Sequence, residues 1–306
     1  MAETRAEKPK SKISYVRLGN SGLKVSRIIL GTMQYGDPQW QPWVLGEEEA
    51  VKHIKFAYEA GIQTFDTANV YSNGLSEIIL GKAIKQLQLP REEIVILTKV
   101  HGTVAREYKT NFIASGKKPD EIGGVKHIFD SVQASLKRLG VEYVDMLQCH
   151  RFDYETPIEE TMQALHDVVK AGPSNAKYES YFIQLFGAGA IPWSPLARGL
   201  LTRPLEEQTK RGETDCVEEL AAKKGLTMAQ IALLWSLSKD GVTAPIVGTT
   251  KLKNLEELIC KCLHTRLTWN GISLDVKLAV VDMKLTEEEM KYLEEPYVPQ
   301  AVIGHL

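Results

Sequence analysis

The chain has 306 residues, of which 43% are hydrophobic, so it can bury a sizeable core in one large α/β domain or two smaller ones. Its 37 basic and 39 acidic residues nearly cancel, which argues against nucleic acid or an anionic membrane as a partner. No apolar run approaches the roughly 20 residues that a membrane-spanning helix needs.

The N-terminal stretch and the cysteines predict a location. The first residues, MAETRAEKPKSK, are charged and lack the apolar stretch of a signal peptide, so 1–13 is interpreted as a disordered tail. Four cysteines are too few for a disulfide framework in a chain of this size, which favours a reducing, cytoplasmic compartment. Cys260 and Cys262 lack the C-x₂₋₄-C spacing of structural zinc sites, so no metal is expected.

Strands and helices alternate through the first half of the sequence. The stretch YVRLGNSGLKV places two short apolar runs around a Gly-Asn-Ser-Gly turn, which predicts a β-hairpin. Strands are then predicted at SRIILGTM (26–33), IQTFDTA, EIVILTKV (93–100) and VEYVDMLQCH (141–150). Amphipathic helices are predicted at GEEEAVKHIKFAYEAG (46–61), SEIILGKAIKQL and GVKHIFDSVQASLKRLG (124–140).

Capping boxes mark the predicted starts of three later helices. In each box a threonine precedes a glutamate or glutamine by three positions: Thr156 with Glu159, Thr227 with Gln230, and Thr286 with Glu289. Between them, strands are predicted in GAGAIPWSPLARGLL and in APIVGTT, and helices at CVEELAAKKG and KNLEELI.

This order of elements is typical of βαβ units on a parallel sheet. The polar residues Asp66, Lys99 and His150 fall at the C-terminal ends of three successive predicted strands. Active sites lie at that end in a parallel α/β barrel, and ligands lie there in a doubly wound sheet, so the placement alone does not separate the two folds. The GAGAIP stretch lacks the third glycine of a dinucleotide fingerprint, so we reject a Rossmann fold.

A tyrosine, a lysine, an aspartate and a histidine together can protonate a carbonyl oxygen. The phenol of Tyr71 has an ordinary pKa of about 10. A nearby Lys99 ammonium would lower that pKa, and Asp66 would hold the lysine charged and oriented. His150 would orient a bound carbonyl group. No side chain delivers hydride, so a reduced nicotinamide is implied as the second reactant.

Each of these residues also has a structural interpretation. Asp66 and Lys99 could form an ion pair that only stabilises the fold, and Tyr71 could be an amphipathic packing residue at a strand end. His150 could be a hydrogen-bonded histidine without a catalytic role. The presence of all four at consecutive strand exits favours the catalytic interpretation.

Three stretches, FDTANVYSNGLSE, ILTKV and DMLQCH, resemble in this order the signature of the aldo-keto reductases. Members of that family are NADP-dependent enzymes on a (β/α)₈ TIM barrel. The sequences YVRLGNSGLKVS, IPWSPLARGLLTRP and PIVGTT are most similar to the fungal aryl-alcohol dehydrogenase-like and versiconal reductase-like group. The resemblance implies a catalytic tetrad of Asp66, Tyr71, Lys99 and His150, in which Asp66 also lies at the cofactor and His150 contacts the substrate.

The same resemblance implies an NADP(H) site in the last third of the chain. Trp193 matches the aromatic residue that stacks on the nicotinamide ring. The next seven residues match the loop around the pyrophosphate: Ser194, Pro195, Leu196, Ala197, Arg198, Gly199 and Leu200. A second set matches the segment at the adenosine 2′-phosphate: Gly248, Thr249, Thr250 and Lys251.

The preference for NADP over NAD depends on a few side chains in that second set. Lys251 or Lys253 could counter the charge of a 2′-phosphate, although the pair could equally be the solvated start of a helix. Two positions that often hold the family's arginine and asparagine are occupied here by Asn254 and Leu258. NADP is therefore the cofactor that the resemblance implies.

The chain departs from the family pattern after Gly172. Two βα units that normally carry a Ser-Asn pair and a glutamine at the nicotinamide are absent, which leaves six predicted strands where a closed barrel has eight. Ser174-Asn175 mimic the missing pair in what is interpreted as a loop. A second deletion follows RGETD, and 259–281 is interpreted as an atypical insertion without clear periodicity.

These observations predict one barrel domain over 14–306, incomplete after 172. The expected activity is the NADPH-dependent reduction of an aldehyde or ketone, or the reverse oxidation of an alcohol. The substrate is expected to be aromatic or otherwise apolar, and the fungal resemblance implies secondary metabolism. The alternative is a cofactor-binding relic with impaired catalysis, or the product of wrongly joined exons. A barrel that lacks two of its strands exposes strand edges, which normally destabilises or aggregates a protein.

Overall fold

In the computed structural model of the chain, residues 13–105, 125–171, 187–202, 216–259, 265–269, 272–276 and 280–296 are described. Several sequence-based predictions lie outside these residues: the tail up to Lys12, the Ser174-Asn175 loop, and the CKC motif of Cys260 and Cys262. The first described residue, Ile13, is already buried in the core.

The predicted N-terminal hairpin is confirmed. Its strands β1 (Tyr15–Arg17) and β2 (Lys24–Ser26) pair antiparallel. Leu18 donates its backbone N–H to the carbonyl of Leu23 at 2.9 Å, which closes the turn.

Five parallel strands form the central sheet. They are β3 (Ile29–Gly31), β4 (Thr64–Asp66), β5 (Val95–Val100), β6 (Met146–Cys149) and β7 (Ile246–Val247). Their spatial order is β6-β5-β4-β3-β7, and every neighbouring pair is parallel. Residues 190–193 add a sixth position beside β7 through parallel bridges from Ala190 to Val242 and from Trp193 to Ile246. All these strands therefore end at one edge of the sheet.

Eight α-helices are described, and those of the first half alternate with the strands as predicted. They are α1 (Glu47–Ala60), α2 (Leu75–Gln86), α3 (Val125–Leu139), α4 (Ile158–Lys170), α5 (Cys216–Lys224), α6 (Met228–Ser238), α7 (Leu252–Ile259) and α8 (Glu287–Glu294). Apolar residues at helical spacing on α1, such as Ile54 and Ala57, are buried against the sheet. None of the described helices is long and apolar enough to cross a membrane.

Two of the three predicted capping boxes are confirmed. Thr227 with Gln230 starts α6, and Thr286 with Glu289 starts α8, with both reciprocal hydrogen bonds present in each box. The prediction at Thr156 is wrong, because its hydroxyl donates to Asp153 Oδ2 at 2.6 Å and the helix begins two residues later, after Pro157.

The sheet has two edges in the described part of the chain. One edge is β6 and the other is the segment 190–193, and none of the described pairings joins them.

Within the predicted insertion, two strands that the sequence did not indicate, β8 (Thr265–Trp269) and β9 (Ile272–Val276), form an antiparallel hairpin. In sequence they flank Asn270-Gly271, a dipeptide typical of two-residue hairpin turns.

The caps generate a first prediction. Thr227→Ala should lower the free energy of unfolding by about 0.5–2 kcal/mol, because the first turn of α6 loses a hydrogen-bond acceptor. Thr156→Ala should cost less, because its hydroxyl caps no helix. Urea unfolding of both variants beside the parent chain measures the difference, and equal losses would contradict the assignment.

Candidate active site

The loop after β4 is fixed to the end of β5 by backbone hydrogen bonds. Thr67 donates its N–H to the carbonyl of Leu97 at 2.9 Å, and Asn69 donates to the carbonyl of Lys99 at 3.2 Å. Asp66 at the end of β4 and Lys99 on β5 therefore lie on adjacent strands at the same edge. Both are buried, with exposed fractions of 3% and 9%.

Tyr71 begins a short 3₁₀ turn, Tyr71–Gly74, that contains two unusual backbone conformations. Ser72 and Asn73 both lie in the left-handed region, with φ of 49° and 52°, which costs roughly 1–3 kcal/mol for each non-glycine residue. The Ser72 hydroxyl accepts from the N–H of Asp37 at 2.8 Å, and the Asn73 carboxamide accepts from the N–H of Ala105 at 2.8 Å. These contacts hold the turn in its strained form.

Three polar groups from this edge meet within hydrogen-bonding distance. Lys99 Nζ lies 2.6 Å from Asp66 Oδ2 and donates to the hydroxyl of Tyr71 at 3.2 Å. It also donates to the carbonyl of Thr67 at 2.8 Å. The lysine thus has an acceptor for each of its three protons, and its ammonium is aimed at the phenol.

His150 completes the group from the next strand. Its N–H donates to the carbonyl of Val100 at 2.9 Å, which extends the pairing of β5 and β6 by one residue. Its ring lies edge-on to the ring of Tyr71, with the centroids 5.6 Å apart and the planes at 85°. The structure therefore brings together all four residues that the sequence nominated.

One side chain at this site was not nominated from the sequence. Gln148 on β6 donates from Nε2 to Asp66 Oδ1 at 3.2 Å, so both carboxylate oxygens of Asp66 have a donor. Because side chains two residues apart on a strand share a face, Gln148 and His150 point to the same side of the sheet. That alternation along the strand was the sequence signal that could have identified Gln148.

The pKa directions describe a protonated phenol beside a charged lysine. Burial raises the pKa of Tyr71 above its ordinary value, and the Lys99 ammonium lowers it by less. The expectation that the lysine would leave the tyrosine more acidic than usual is therefore wrong for this structure. Burial is the largest influence on Lys99 and lowers its pKa, but Asp66 and Tyr71 together outweigh it, so the pKa of Lys99 is raised.

The imidazole of His150 is neutral at physiological pH. Burial, followed by the positive charges of Lys99, Arg151 and His101, lowers its pKa from 6.5 to about 4. A neutral imidazole carries one N–H donor and one bare nitrogen acceptor. It can orient a carbonyl oxygen by hydrogen bonding without supplying a charge.

The predicted pyrophosphate loop follows Trp193 and has an unusual backbone. Ser194, Ala197 and Arg198 have φ of 56°, 48° and 57°, and Gly199 lies in the same region at 89°. A short 3₁₀ segment, Ala197–Thr202, is tightened by the hydroxyl of Thr202, which donates to the carbonyl of Gly199 at 2.8 Å. The Trp193 side chain is 63% exposed.

The second predicted cofactor segment follows β7. An added Cβ at Gly248 would lie 2.8 Å from Gln34 Oε1, so a side chain there would have to displace that amide. Lys251 donates its N–H to the hydroxyl of Thr249 at 3.2 Å, and its side chain is exposed just before α7. Leu258 is buried in the core and therefore faces away from any ligand on this surface.

The two groups of residues occupy different parts of one edge. The tetrad stands on β4, β5 and β6, whereas Trp193 and Gly248 stand at the end of β7 and beside it. Only β3 lies between β4 and β7. Among the described residues, no group of three His, Cys, Asp or Glu side chains could hold a metal ion.

The chain belongs to the aldo/keto reductase family, whose sequence profile matches residues 27–175 and 180–273. Versiconal hemiacetal acetate reductase of Aspergillus parasiticus is 39% identical over 359 aligned positions, covering 95% of this chain and 98% of that protein. A Schizosaccharomyces pombe protein named provisionally as an aryl-alcohol dehydrogenase is 38% identical over 365 positions, with coverage of 95% and 98%. The chain is thus an oxidoreductase of carbonyl compounds and alcohols by family.

The fold class is confirmed by a solved structure. Aldo-keto reductase AKR11C1 from Bacillus halodurans, in its holo form, superposes with a TM-score of 0.68 at 22% identity. The superposition covers 96% of this chain and 99% of that chain. The α/β architecture is therefore of the aldo-keto reductase barrel type.

The alignments also bear on the internal deletion. Both aligned lengths, 359 and 365 positions, exceed the 306 residues of this chain, so each relative contains residues without a counterpart here. The family match is interrupted between 175 and 180, within the linker after Gly172 where the sequence departs from the pattern.

The histidine generates a second prediction. Because the pKa of His150 is about 4 in the folded chain and 6.5 is its ordinary value, the unfolded chain binds more protons between these pH values. His150 should therefore lower the free energy of unfolding as pH falls from 6.5 to 4, and should have no such effect above 6.5.

An NMR titration of the imidazole Cε1–H resonances tests this, with the His150 signal identified by its loss in His150→Gln. The resonance should stay unshifted between pH 7.5 and pH 5, and urea unfolding of the variant should depend less on pH in the acid range. A ring that titrates between pH 6 and 7 in the folded chain would contradict the assignment.

Proposed function

We propose that the chain is an NADPH-dependent reductase of aldehydes or ketones, acting also in reverse on alcohols, with Tyr71 as the general acid. The observation that carries the proposal is the 3.2 Å hydrogen bond from Lys99 Nζ to the Tyr71 hydroxyl, with Asp66 Oδ2 at 2.6 Å behind the lysine. A phenol held by a charged ammonium suits transfer of a proton to a carbonyl oxygen.

The protonation states support that role. A raised pKa keeps the Tyr71 phenol protonated before the reaction, so the proton is present when a carbonyl oxygen gains negative charge. The Lys99 ammonium then stabilises the phenolate that remains, and Asp66 keeps the ammonium charged. His150 donates its single N–H to the same carbonyl oxygen and orients it toward Tyr71.

The residues at the other end of the edge suit a nicotinamide dinucleotide. The exposed face of Trp193 offers a stacking surface for the nicotinamide ring. The Ser194 hydroxyl and the Arg198 guanidinium offer hydrogen-bond donors for a pyrophosphate, whereas the Gly199 N–H already donates to the carbonyl of Leu196 at 2.9 Å. When bound, the reduced cofactor supplies the hydride that no side chain can supply.

The substrate class is proposed from exposed apolar side chains at this edge. Among the described residues, most of the large hydrophobic side chains that remain exposed follow the C-terminal end of a strand: Met33, Trp43, Phe152, Tyr154, Trp193 and Leu252. An aromatic or otherwise apolar carbonyl compound would cover such side chains. The names of the relatives, a versiconal hemiacetal acetate reductase and an aryl-alcohol dehydrogenase, agree with such a substrate. We extend the proposal to a cytoplasmic role in secondary metabolism.

A second candidate function is cofactor binding without turnover. It is favoured by the residues that both relatives contain and this chain lacks, and by the interruption of the family match after 175. Missing units on the nicotinamide side would leave the tetrad in place while weakening the hold on the reacting ring. Quenching of tryptophan fluorescence by NADPH without consumption of NADPH would favour this candidate.

Replacing the proposed proton donor separates the candidates. Tyr71→Phe should lower kcat for NADPH-dependent reduction of an aryl aldehyde by about 10²–10⁴-fold, because the carbonyl oxygen loses its acid. The Kd for NADPH, measured by tryptophan fluorescence, should stay within about twofold, since the phenol does not hold the cofactor.

Tyr292→Phe is the matched control, because its hydroxyl bonds to Glu219 on α5, away from the sheet edge. Its kcat should equal that of the parent chain. Full activity in Tyr71→Phe would overturn the assignment, and an inactive parent chain that still binds NADPH would select the second candidate.

The lysines before and within α7 generate a prediction about NADP preference. Lys251→Gln should raise the Kd for NADPH by about tenfold and leave that for NADH unchanged, because one charge-assisted hydrogen bond to the 2′-phosphate is lost. Lys253→Gln tests the neighbouring exposed lysine in the same assay. Equal effects on NADPH and NADH would contradict a contact between Lys251 and the 2′-phosphate.

A further inference from the structure

A fully buried carboxylate lies in the helix that directly follows the turn of the proposed proton donor. Glu77, in the first turn of α2, has an exposed side-chain fraction of 0%. Its Oε1 accepts from the hydroxyl of Thr98 at 2.6 Å, and its Oε2 accepts from Arg138 Nε at 2.6 Å. Arg138 also donates to the hydroxyl of Ser135 at 3.1 Å. The proposed reaction uses none of these residues.

The first contact of Glu77 is with the strand that carries the lysine. Thr98 directly precedes Lys99 on β5, and successive side chains of a strand point to opposite faces. Lys99 reaches the site on one face, while Thr98 reaches Glu77 on the other. The hydrogen bond from Thr98 to Glu77 therefore restrains the backbone of β5 directly beside Lys99, whose ammonium contacts Tyr71.

The second contact leads to the turn that carries the tyrosine. An added Cβ at Gly74, the last residue of the Tyr71–Gly74 turn, would lie 2.8 Å from Arg138 Cδ and 3.1 Å from its Nε. The stem of Arg138 therefore packs directly on the turn. Helices α2 and α3 also meet closely, since a Cβ at Gly81 would clash with the backbone of Leu139. Arg138 is held in place between the two helices.

We infer that the Arg138–Glu77 ion pair is a positioning device that sets the distance between Tyr71 Oη and Lys99 Nζ. It contacts the tyrosine-bearing turn through Arg138 and the lysine-bearing strand through Glu77 and Thr98. The inference rests on the proposed function, because it concerns the geometry of the proposed acid. A shift of about 1 Å at a reacting group can cost 10²-fold in rate, so small movements of either element would be visible.

A matched pair of arginine substitutions tests the inference. Arg91 also forms an ion pair with a mostly buried carboxylate, since its Nη2 lies 2.6 Å from Asp145 Oδ2. That carboxylate accepts from the N–H of Ile96 at 2.8 Å, so this pair is tied to the opposite end of the same strand. Arg138→Lys and Arg91→Lys therefore make the same chemical change in two ion pairs whose carboxylates each accept from β5.

The expected results differ in kind. Arg138→Lys should lower kcat by about tenfold or more and shift the alkaline limb of its pH profile, with the Kd for NADPH unchanged. Arg91→Lys should lower only the Tm. Thr98→Val, which removes one hydroxyl and keeps the ion pair, should lower kcat in the same direction and serves if Arg138→Lys does not fold. A folded Arg138→Lys or Thr98→Val with the parent's kcat and pH profile would overturn the inference.

A readout that needs no turnover separates this inference from the proposed function. In a crystal structure of Thr98→Val or Arg138→Lys, the distance from Tyr71 Oη to Lys99 Nζ should exceed hydrogen-bonding range, whereas in Arg91→Lys it should match the parent. An inactive parent chain would contradict the proposed function, and these distances would still decide the positioning role. An unchanged distance in both variants would overturn it.

Discussion

The buried ion pair between Asp66 and Lys99 is the interaction on which the rest of the site depends. Both side chains are almost without solvent, and leaving either one unpaired would cost about 3–5 kcal/mol. The pair is therefore stable only where the other oxygen of Asp66 and the other protons of Lys99 also have hydrogen-bond partners. Gln148 and the Thr67 carbonyl are such partners here, and the one proton of Lys99 left over is aimed at Tyr71. The geometry around the phenol is a consequence of the need to satisfy a buried charge.

The parallel sheet explains how residues far apart in sequence reach that pair. Asp66 and Lys99 lie on adjacent strands, and His150 extends the next one, so each needs only to stand at the end of its strand. The turn that carries Tyr71 is different, because the left-handed backbone of Ser72 and Asn73 is unfavourable and needs contacts from other elements. It relies on contacts from the segment after β3, the segment after β5 and the end of α3. The tyrosine is therefore the member of the tetrad whose position depends on the most elements.

Features that depend on periodicity and on strand ends could be predicted from the sequence, whereas features that depend on tertiary contacts mostly could not. The alternation of apolar runs located the five strands, and the polar outliers Asp66, Lys99 and His150 marked the common edge. The cap at Thr156 failed because the helix begins only at Ile158, after Pro157, and the threonine hydroxyl donates to Asp153 instead. The raised pKa of Tyr71 could not be foreseen, since it depends on how deeply the ring is buried. The contacts of Glu77 could not be foreseen either, because its partners Thr98 and Arg138 are 21 and 61 residues away in sequence.

The exposed apolar side chains at the sheet edge are all outside the strands that carry Asp66 and Lys99. Met33 and Trp43 lie between β3 and α1, Phe152 and Tyr154 follow β6, and Leu252 opens α7. Substitutions at these positions leave the ion pair and its hydrogen bonds untouched. The fold thus places the exposed apolar positions, which can vary without loss of stability, apart from the buried ion pair, which cannot. Variants of this chain, natural or designed, can acquire new ligands by changing these exposed side chains while the proton donor stays unaltered.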